Sequence, residues 1–234
     1  MSGRSRRAYY DLFSHFYDFV ITLHSKDRSA ALRDLLVDKA GVAAGGRLLD
    51  ICTGTGAVAL RAQETTGADG VAVGLDFSQG MIRKAREKAR RASLGGVYFV
   101  VGDTARLPFR SNAFEAVTCS HAMYELSEEV RTHALAEARR VLRPGARFLM
   151  MEHCEPTRPF VRFLYQVRLA TMGSTRNRSF ARDEVPFLSQ FLRDVKQQLT
   201  PTGRSKLIWG VKEPAGEGAR ADQPITGGPV GHVE

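Results

Sequence analysis

From residue 47 to residue 153 the chain alternates short apolar runs with stretches of helix length, and this alternation constrains the fold more than any other feature. RLLDIC (47–52), VAVGLD (71–76), VYFVVG (97–102), FEAVTC (114–119) and ARFLMMEH (146–153) read as five buried strands. Between them, Gly54 to Gln63 reads as a turn feeding a helix, and Gln79 to Ala92 and Ser127 to Leu142 as helices, with a Pro144-Gly145 turn before the fifth strand. Strands separated by helices need crossover connections, so the sheet should be parallel and covered on both faces.

The flanks differ from this middle. Arg7 to Leu23 and Asp27 to Ala40 carry apolar residues at three- and four-residue spacing, which predicts two N-terminal helices within 8–40. A helical insertion is expected over 157–195. VKQQL and SKLIWGV flank Thr200-Pro201-Thr202-Gly203, a turn signal that predicts a terminal antiparallel pair. Residues 213–234 are rich in Gly and Pro without a large apolar cluster, so a flexible tail is expected there. At 234 residues and 43% hydrophobic the chain suits one core and is short for two, so 1–212 is read as a single domain.

Charge and cysteine content bound the partners. A net charge of +9 attracts anions in general, but no run of five or more like charges marks a dedicated polyanion site. Three cysteines, Cys52, Cys119 and Cys154, give no disulfide framework, and a reducing cytoplasm is the expected compartment. No apolar run approaches the ~18 residues of a membrane span. The basic N-terminus lacks an apolar stretch behind it, so no secretory signal is expected.

The first strand ends in Asp50-Ile51-Cys52-Thr53-Gly54-Thr55-Gly56 and runs directly into a helix. Glycines at such a turn let a ligand approach the backbone. The second strand ends in Asp76, placed to accept from ribose hydroxyls, and the third in Gly102-Asp103, so three acids share the rim where open parallel sheets bind ligands. Gly54 to Ala59 also satisfies a dinucleotide fingerprint. Asp50 would repel a pyrophosphate, however, whereas S-adenosylmethionine brings a sulfonium, an ammonium and no phosphate. The electrostatics favour S-adenosylmethionine.

LLDICTGTG, VGLDFSQGMIRKAREKA, FVVGDTARLPFRSNAFEAVT and EARRVLRPGARFLMMEH stand in the order and spacing of class I S-adenosylmethionine-dependent methyltransferases. Within that class the chain resembles the ubiquinone/menaquinone C-methyltransferase family, well over about residues 9 to 153 and loosely beyond. The resemblance implies a Rossmann-like, doubly wound α/β fold with a mostly parallel seven-stranded sheet, strand order 3-2-1-4-5-7-6 and an antiparallel last strand. It implies an enzyme that converts S-adenosylmethionine to S-adenosylhomocysteine. It assigns Asp50 and the Gly54–Gly56 backbone, with Cys52, Thr53 and Thr55 in the same loop, to the methionine end. Asp76, Phe77 and Met81 fall to the ribose and adenine, Asp103 and Thr104 to the adenine edge, and Ser120 to the wall beside the methyl; Tyr17 belongs to the matching early Tyr-Asp pair. One departure stands out. Where the family carries Arg-Asn after the fourth strand, this chain carries Tyr124-Glu125, which suits a cationic or amine-bearing acceptor better than a quinone phenolate.

Methyl transfer needs alignment, exclusion of water and, for some acceptors, removal of a proton. His121 and His153 follow adjacent strands on the cofactor rim, and with Tyr124 and Glu125 they are the candidates for acceptor chemistry. No metal site is expected. The expected partner is a small, hydrophobic or lipid-like acceptor. A weak membrane contact would run through the Arg- and aromatic-rich stretch 158–169. The alternative, a nucleic-acid methyltransferase or a basic binding module of this fold, lacks the Asn/Asp-Pro-Pro-aromatic motif after the fourth strand.

Overall fold

The computed structural model describes residues 31–154, 183–201 and 203–214. Among these residues one sheet of seven strands has the order β3-β2-β1-β4-β5-β7-β6. Its strands are β1 (Arg47–Ile51), β2 (Val71–Asp76), β3 (Val97–Val101), β4 (Phe114–Ser120), β5 (Leu142–His153), β6 (Arg193–Leu199) and β7 (Ser205–Val211). The first five run parallel; β7 pairs antiparallel with both β5 and β6. Helices α1 (Ala31–Ala40), α2 (Ala57–Thr66), α3 (Gln79–Arg91), α4 (Glu128–Val141) and α5 (Glu184–Leu188) cover it. The order is the one expected from the sequence.

Burial explains the apolar runs. β1, β2 and β4 lie inside the sheet with helices on both faces, so nearly every residue in them is buried rather than every second one. Two cores result. One packs Leu48, Leu149 and Ala116 against Leu36, Ala59 and Ile82 of α1, α2 and α3. The other packs Ile51, Val117 and Phe148 against Leu135, Ala138 and Leu188 of α4 and α5. Two α helices start on serine caps: the Ser78 hydroxyl accepts from Met81 N at 3.2 Å and that of Ser127 from Val130 N at 3.2 Å.

At the head of α2, Gly56 has φ +81°, and a Cβ there would stand 2.6 Å from the Phe99 ring and 2.9 Å from Ala85. The absence of a side chain at Gly56 is thus set by the packing of β3 and α3 against the loop, as well as by any ligand.

The structure moves several boundaries. The Pro144-Gly145 turn lies inside β5, which leaves α4 without a connecting loop. Six residues of β5, from Leu142 to Arg147, span the distance that three, Phe114 to Ala116, cover on β4. The extra chain is taken up by the end of β7: Gly145 N donates to Lys212 O at 2.9 Å and Lys212 N to Ala146 O at 2.8 Å. β6 begins at Arg193, two residues before VKQQL, with a register shift before Lys196, so the expected insertion of 157–195 ends earlier. Glu213, read as the first tail residue, pairs with Arg193. The remaining tail from 215, Tyr17, the first expected helix, the start of the second at 27–30 and the stretch 158–169 lie outside the described residues.

Candidate functional site

The carboxyl ends of β1 to β5 form one rim, and the residues singled out in the sequence fall on it in two groups. The first group surrounds the glycine loop. Asp76, at the tip of β2, accepts from Gly54 N at 2.8 Å and from Ser78 N at 2.9 Å, so one buried carboxylate ties the loop after β1 to the head of α3. A carboxylate accepts about four hydrogen bonds, so the same acid can serve the loop and a ribose. Thr53 N donates to Leu75 O at 3.0 Å and closes the loop onto β2. Phe77 is half-buried and Met81 buried beside this junction. Thr55 is turned to α3, its hydroxyl accepting from Lys88 Nζ at 2.8 Å.

Asp50 lies beneath the loop and is buried, taking hydrogen bonds from the Thr53 hydroxyl at 2.5 Å and the Thr118 hydroxyl at 2.7 Å. Burial pushes its carboxyl up from 3.8 to about 7 against the pull of those two hydroxyls, and the charge of Asp76 adds to the rise. Between these values the unfolded chain has released the proton that the folded chain retains, so this group's contribution to stability is greatest below pH 4 and is lost as pH rises through about 7. In urea unfolding of the cofactor-free protein, Asp50→Asn should therefore gain on the wild type between pH 5 and pH 8, by about 1.4 kcal/mol per pH unit at most. A difference that does not change with pH would contradict the elevated carboxyl.

Asp103 is exposed and accepts from Ala105 N at 2.9 Å, a local turn bond. Thr104 behind it is buried, and among the described residues its hydroxyl finds no hydrogen-bond partner. An orphaned hydroxyl at the β3 end of the rim, an anchored acid at the β2 end and a buried acid under the loop suit a nucleoside carrying an ammonium and no phosphate.

The second group lies past β4. His121 has φ +53°, and this left-handed residue turns the chain off the strand, with His121 N donating to Met151 O at 2.7 Å. Its ring is bound at both ends, Nδ1 with the Ser120 hydroxyl at 3.0 Å and Nε2 with the Ser205 hydroxyl at 3.1 Å. Burial lowers its pKa to about 4, so the imidazole is neutral at pH 7. His153 stacks on it with ring centroids 4.1 Å apart, and the Tyr124 ring meets His153 edge-on at 5.9 Å. Tyr124 donates to Glu125 Oε1 at 2.9 Å. The four residues expected to carry acceptor chemistry thus form one cluster.

Beneath it lies a buried ionic layer. Glu152 Oε1 accepts from Met123 N at 3.0 Å and so fixes the tight turn Met123–Glu125 that carries Tyr124 and Glu125. Burial, with Glu184 nearby, raises the Glu152 carboxyl well above its ordinary value. Arg131 of α4 pairs with Glu184 of α5, both about 3% exposed, and stands over the Phe187 ring at 4.5 Å. Sequence reading singled out Glu152 on this rim through its charge, but did not find Thr118, Ser205 or the Arg131–Glu184 pair as parts of the site. Thr118 had one available signal, since it lies level with Asp50 if β1 and β4 are neighbours. Ser205 reaches the site only through the antiparallel pairing of β7 with β5, level with His153.

The comparisons with known proteins concern the family and the fold. The model of the ubiE/COQ5 methyltransferase family matches residues 6–200. The demethylmenaquinone methyltransferase of Staphylococcus epidermidis is 30% identical over 179 residues, 76% of this chain and 73% of that protein. That of Staphylococcus aureus is 30% identical over 176 residues, 74% and 71% of the two chains. Among solved structures, a SAM dependent methyltransferase from Aquifex aeolicus superposes with a TM-score of 0.58 at 17% identity, covering 82% of this chain and 97% of that one. Phosphoethanolamine N-methyltransferase 2 of Haemonchus contortus, in complex with S-adenosyl-L-methionine, gives a TM-score of 0.62 at 14% identity over 78% of this chain and 52% of that one. The two structural likenesses concern the fold.

Proposed function

The chain belongs to the ubiE/COQ5 methyltransferase family, and from that premise we propose that this S-adenosylmethionine-dependent enzyme methylates a small, hydrophobic, neutral or amine-bearing acceptor held against the His121–His153–Tyr124–Glu125 cluster. The stacked histidines at the adjoining ends of β4 and β5 carry this reading. When bound, S-adenosylmethionine supplies an electrophilic methyl on a sulfonium. Asp76 would hold its ribose, Thr104 and Asp103 its adenine edge, and Asp50 with the Gly54–Gly56 backbone its methionine end.

The chain's own side chains divide the remaining work. His121, neutral and bound at both nitrogens, is a platform. His153, stacked on that platform and bordered by Tyr124, is the group that takes the acceptor's proton at a ring nitrogen. Ser120 stands between the two groups of the rim and helps exclude water. Glu125, with Tyr124 where the family carries Arg-Asn, disfavours an anionic acceptor. The Staphylococcus relatives are named for demethylmenaquinone, and the Tyr124–Glu125 pair supports a different acceptor for this chain.

Transfer of tritiated methyl onto reduced demethylnaphthoquinones, hydrophobic amines and carboxylate-bearing phenols, with His153→Ala alongside, tests the proposal. Amines or neutral phenols should be methylated. In His153→Ala turnover should fall by about 100-fold or more with affinity for S-adenosylhomocysteine unchanged. Full activity in that variant, or transfer confined to anionic acceptors or RNA, would contradict it.

A further inference from the structure

We propose that Cys52 and Cys119 form a dithiol site beside the glycine loop that captures a trivalent, monosubstituted arsenical, and that capture excludes the cofactor. The second half rests on placing the cofactor at this loop; the first half does not. Ile51 of β1 and Cys119 of β4 stand level in the sheet. Side chains alternate along a strand, so an extended Cys52 would point to the opposite face from Cys119. Cys52 instead has φ +54°, a left-handed conformation strained for any residue but glycine. That turn packs Cys52 on the same cluster as Ile51 and Cys119, so both thiols lie on one side of the sheet.

The third cysteine stands apart. Cys119 is level with Met150 on β5, and Cys154 lies four residues further along, roughly 13 Å away at strand rise. Two thiols are therefore available, one half-buried at Cys52 and one buried behind it at Cys119. Among the described residues no group of three or more His, Cys, Asp or Glu is placed to hold a metal ion, so a tetrahedral cation lacks ligands here. Trivalent arsenic that keeps one organic substituent needs two sulfurs and no more. The surroundings favour a neutral product. The neighbouring Cys52 and then burial push the Cys119 thiol well above its ordinary range and keep it protonated, with smaller additions from Glu152 and Asp50.

The step balances without any change of oxidation state. An arsenoxide, R–As=O, meets the two thiols; two As–S bonds form, the arsenic–oxygen bond breaks, and both thiol protons leave with the oxygen as water. Cys52 reacts first because it is reachable. The second bond is then intramolecular, which makes the adduct far tighter than one on a single thiol. An arsenical seated on Cys52 lies in the loop between Asp50 and Gly54 and leaves no room for a ligand above it.

Phenylarsine oxide, added to the full chain in excess glutathione and followed by intact-mass spectrometry, provides the test. One adduct should form with loss of water, survive glutathione, be removed by dimercaptopropanol and persist in Cys154→Ser. It should be absent from Cys52→Ser and Cys119→Ala; should the buried Cys119→Ala variant not fold, Cys52→Ser decides alone. Affinity for S-adenosylhomocysteine should fall by about tenfold or more in the adduct. An adduct that glutathione strips, or that forms in Cys52→Ser, would overturn the dithiol site. A stable dithiol adduct with unchanged affinity would overturn the exclusion and count against the cofactor's place at this loop.

Discussion

Replacing Asp76 with Ala is expected to weaken binding of S-adenosylhomocysteine by about 30-fold or more, roughly 2 kcal/mol, while the protein stays folded. Two losses combine. The charge-assisted bonds proposed for the ribose hydroxyls disappear. The loop also loses its anchor, because Asp76 is the acceptor for both Gly54 N and Ser78 N. Asp76→Asn is a sharper probe, since it keeps the shape but turns an amide donor toward one of two backbone donors. Titration calorimetry with circular dichroism on each variant separates binding from folding. Unchanged affinity in a folded Asp76→Ala protein would remove the acid from the cofactor site.

The largest expected effect on stability is at Arg131. Its guanidinium is buried with Glu184, and Glu152 lies within the same electrostatic layer. Arg131→Met leaves Glu184 buried without its cation, a change that costs about 3–5 kcal/mol. The double variant Arg131→Met/Glu184→Leu should recover most of that loss, because a buried ion pair replaced by apolar groups is close to neutral. In Arg131→Met the loss should shrink as pH falls, since an acid left unpaired inside the protein avoids its charge by keeping a proton. Urea unfolding of the three proteins at pH 5 and pH 8 gives the comparison. A cost below about 1 kcal/mol would place the pair among contacts of little energetic weight.

Why the glycine-loop half of the rim was legible in the sequence and the β4–β5 half less so follows from where the contacts lie. Asp50, Gly54 and Asp76 belong to consecutive strand–turn–helix units, so their meeting on one rim follows from the alternation alone. His121 and His153 end strands that the same pattern makes neighbours, and their stacking is the geometric outcome. Ser205 bonds His121 across 84 residues of chain, through an antiparallel pairing that no local pattern announces. Glu184 and Arg131 are apart by 53 residues and belong to α5 and α4, and nothing in either helix marks the other as its partner. The misplaced start of β5 has a local cause. Pro144-Gly145 is a strong turn signal, but Gly145 takes its φ of +76° inside a strand whose irregular start β7 supports. The thiol pair depends on one dihedral angle at Cys52, which an alternating strand pattern assigns to the wrong face.

A crystal structure of the complex with S-adenosylhomocysteine is the most direct test of the account. The ribose should lie on Asp76, the adenine against Thr104, and the sulfur over the glycine loop with its open side toward Ser120, His153 and Tyr124. A sulfur turned away from the β4–β5 rim, toward the ends of β2 and β3, would contradict the proposed acceptor site.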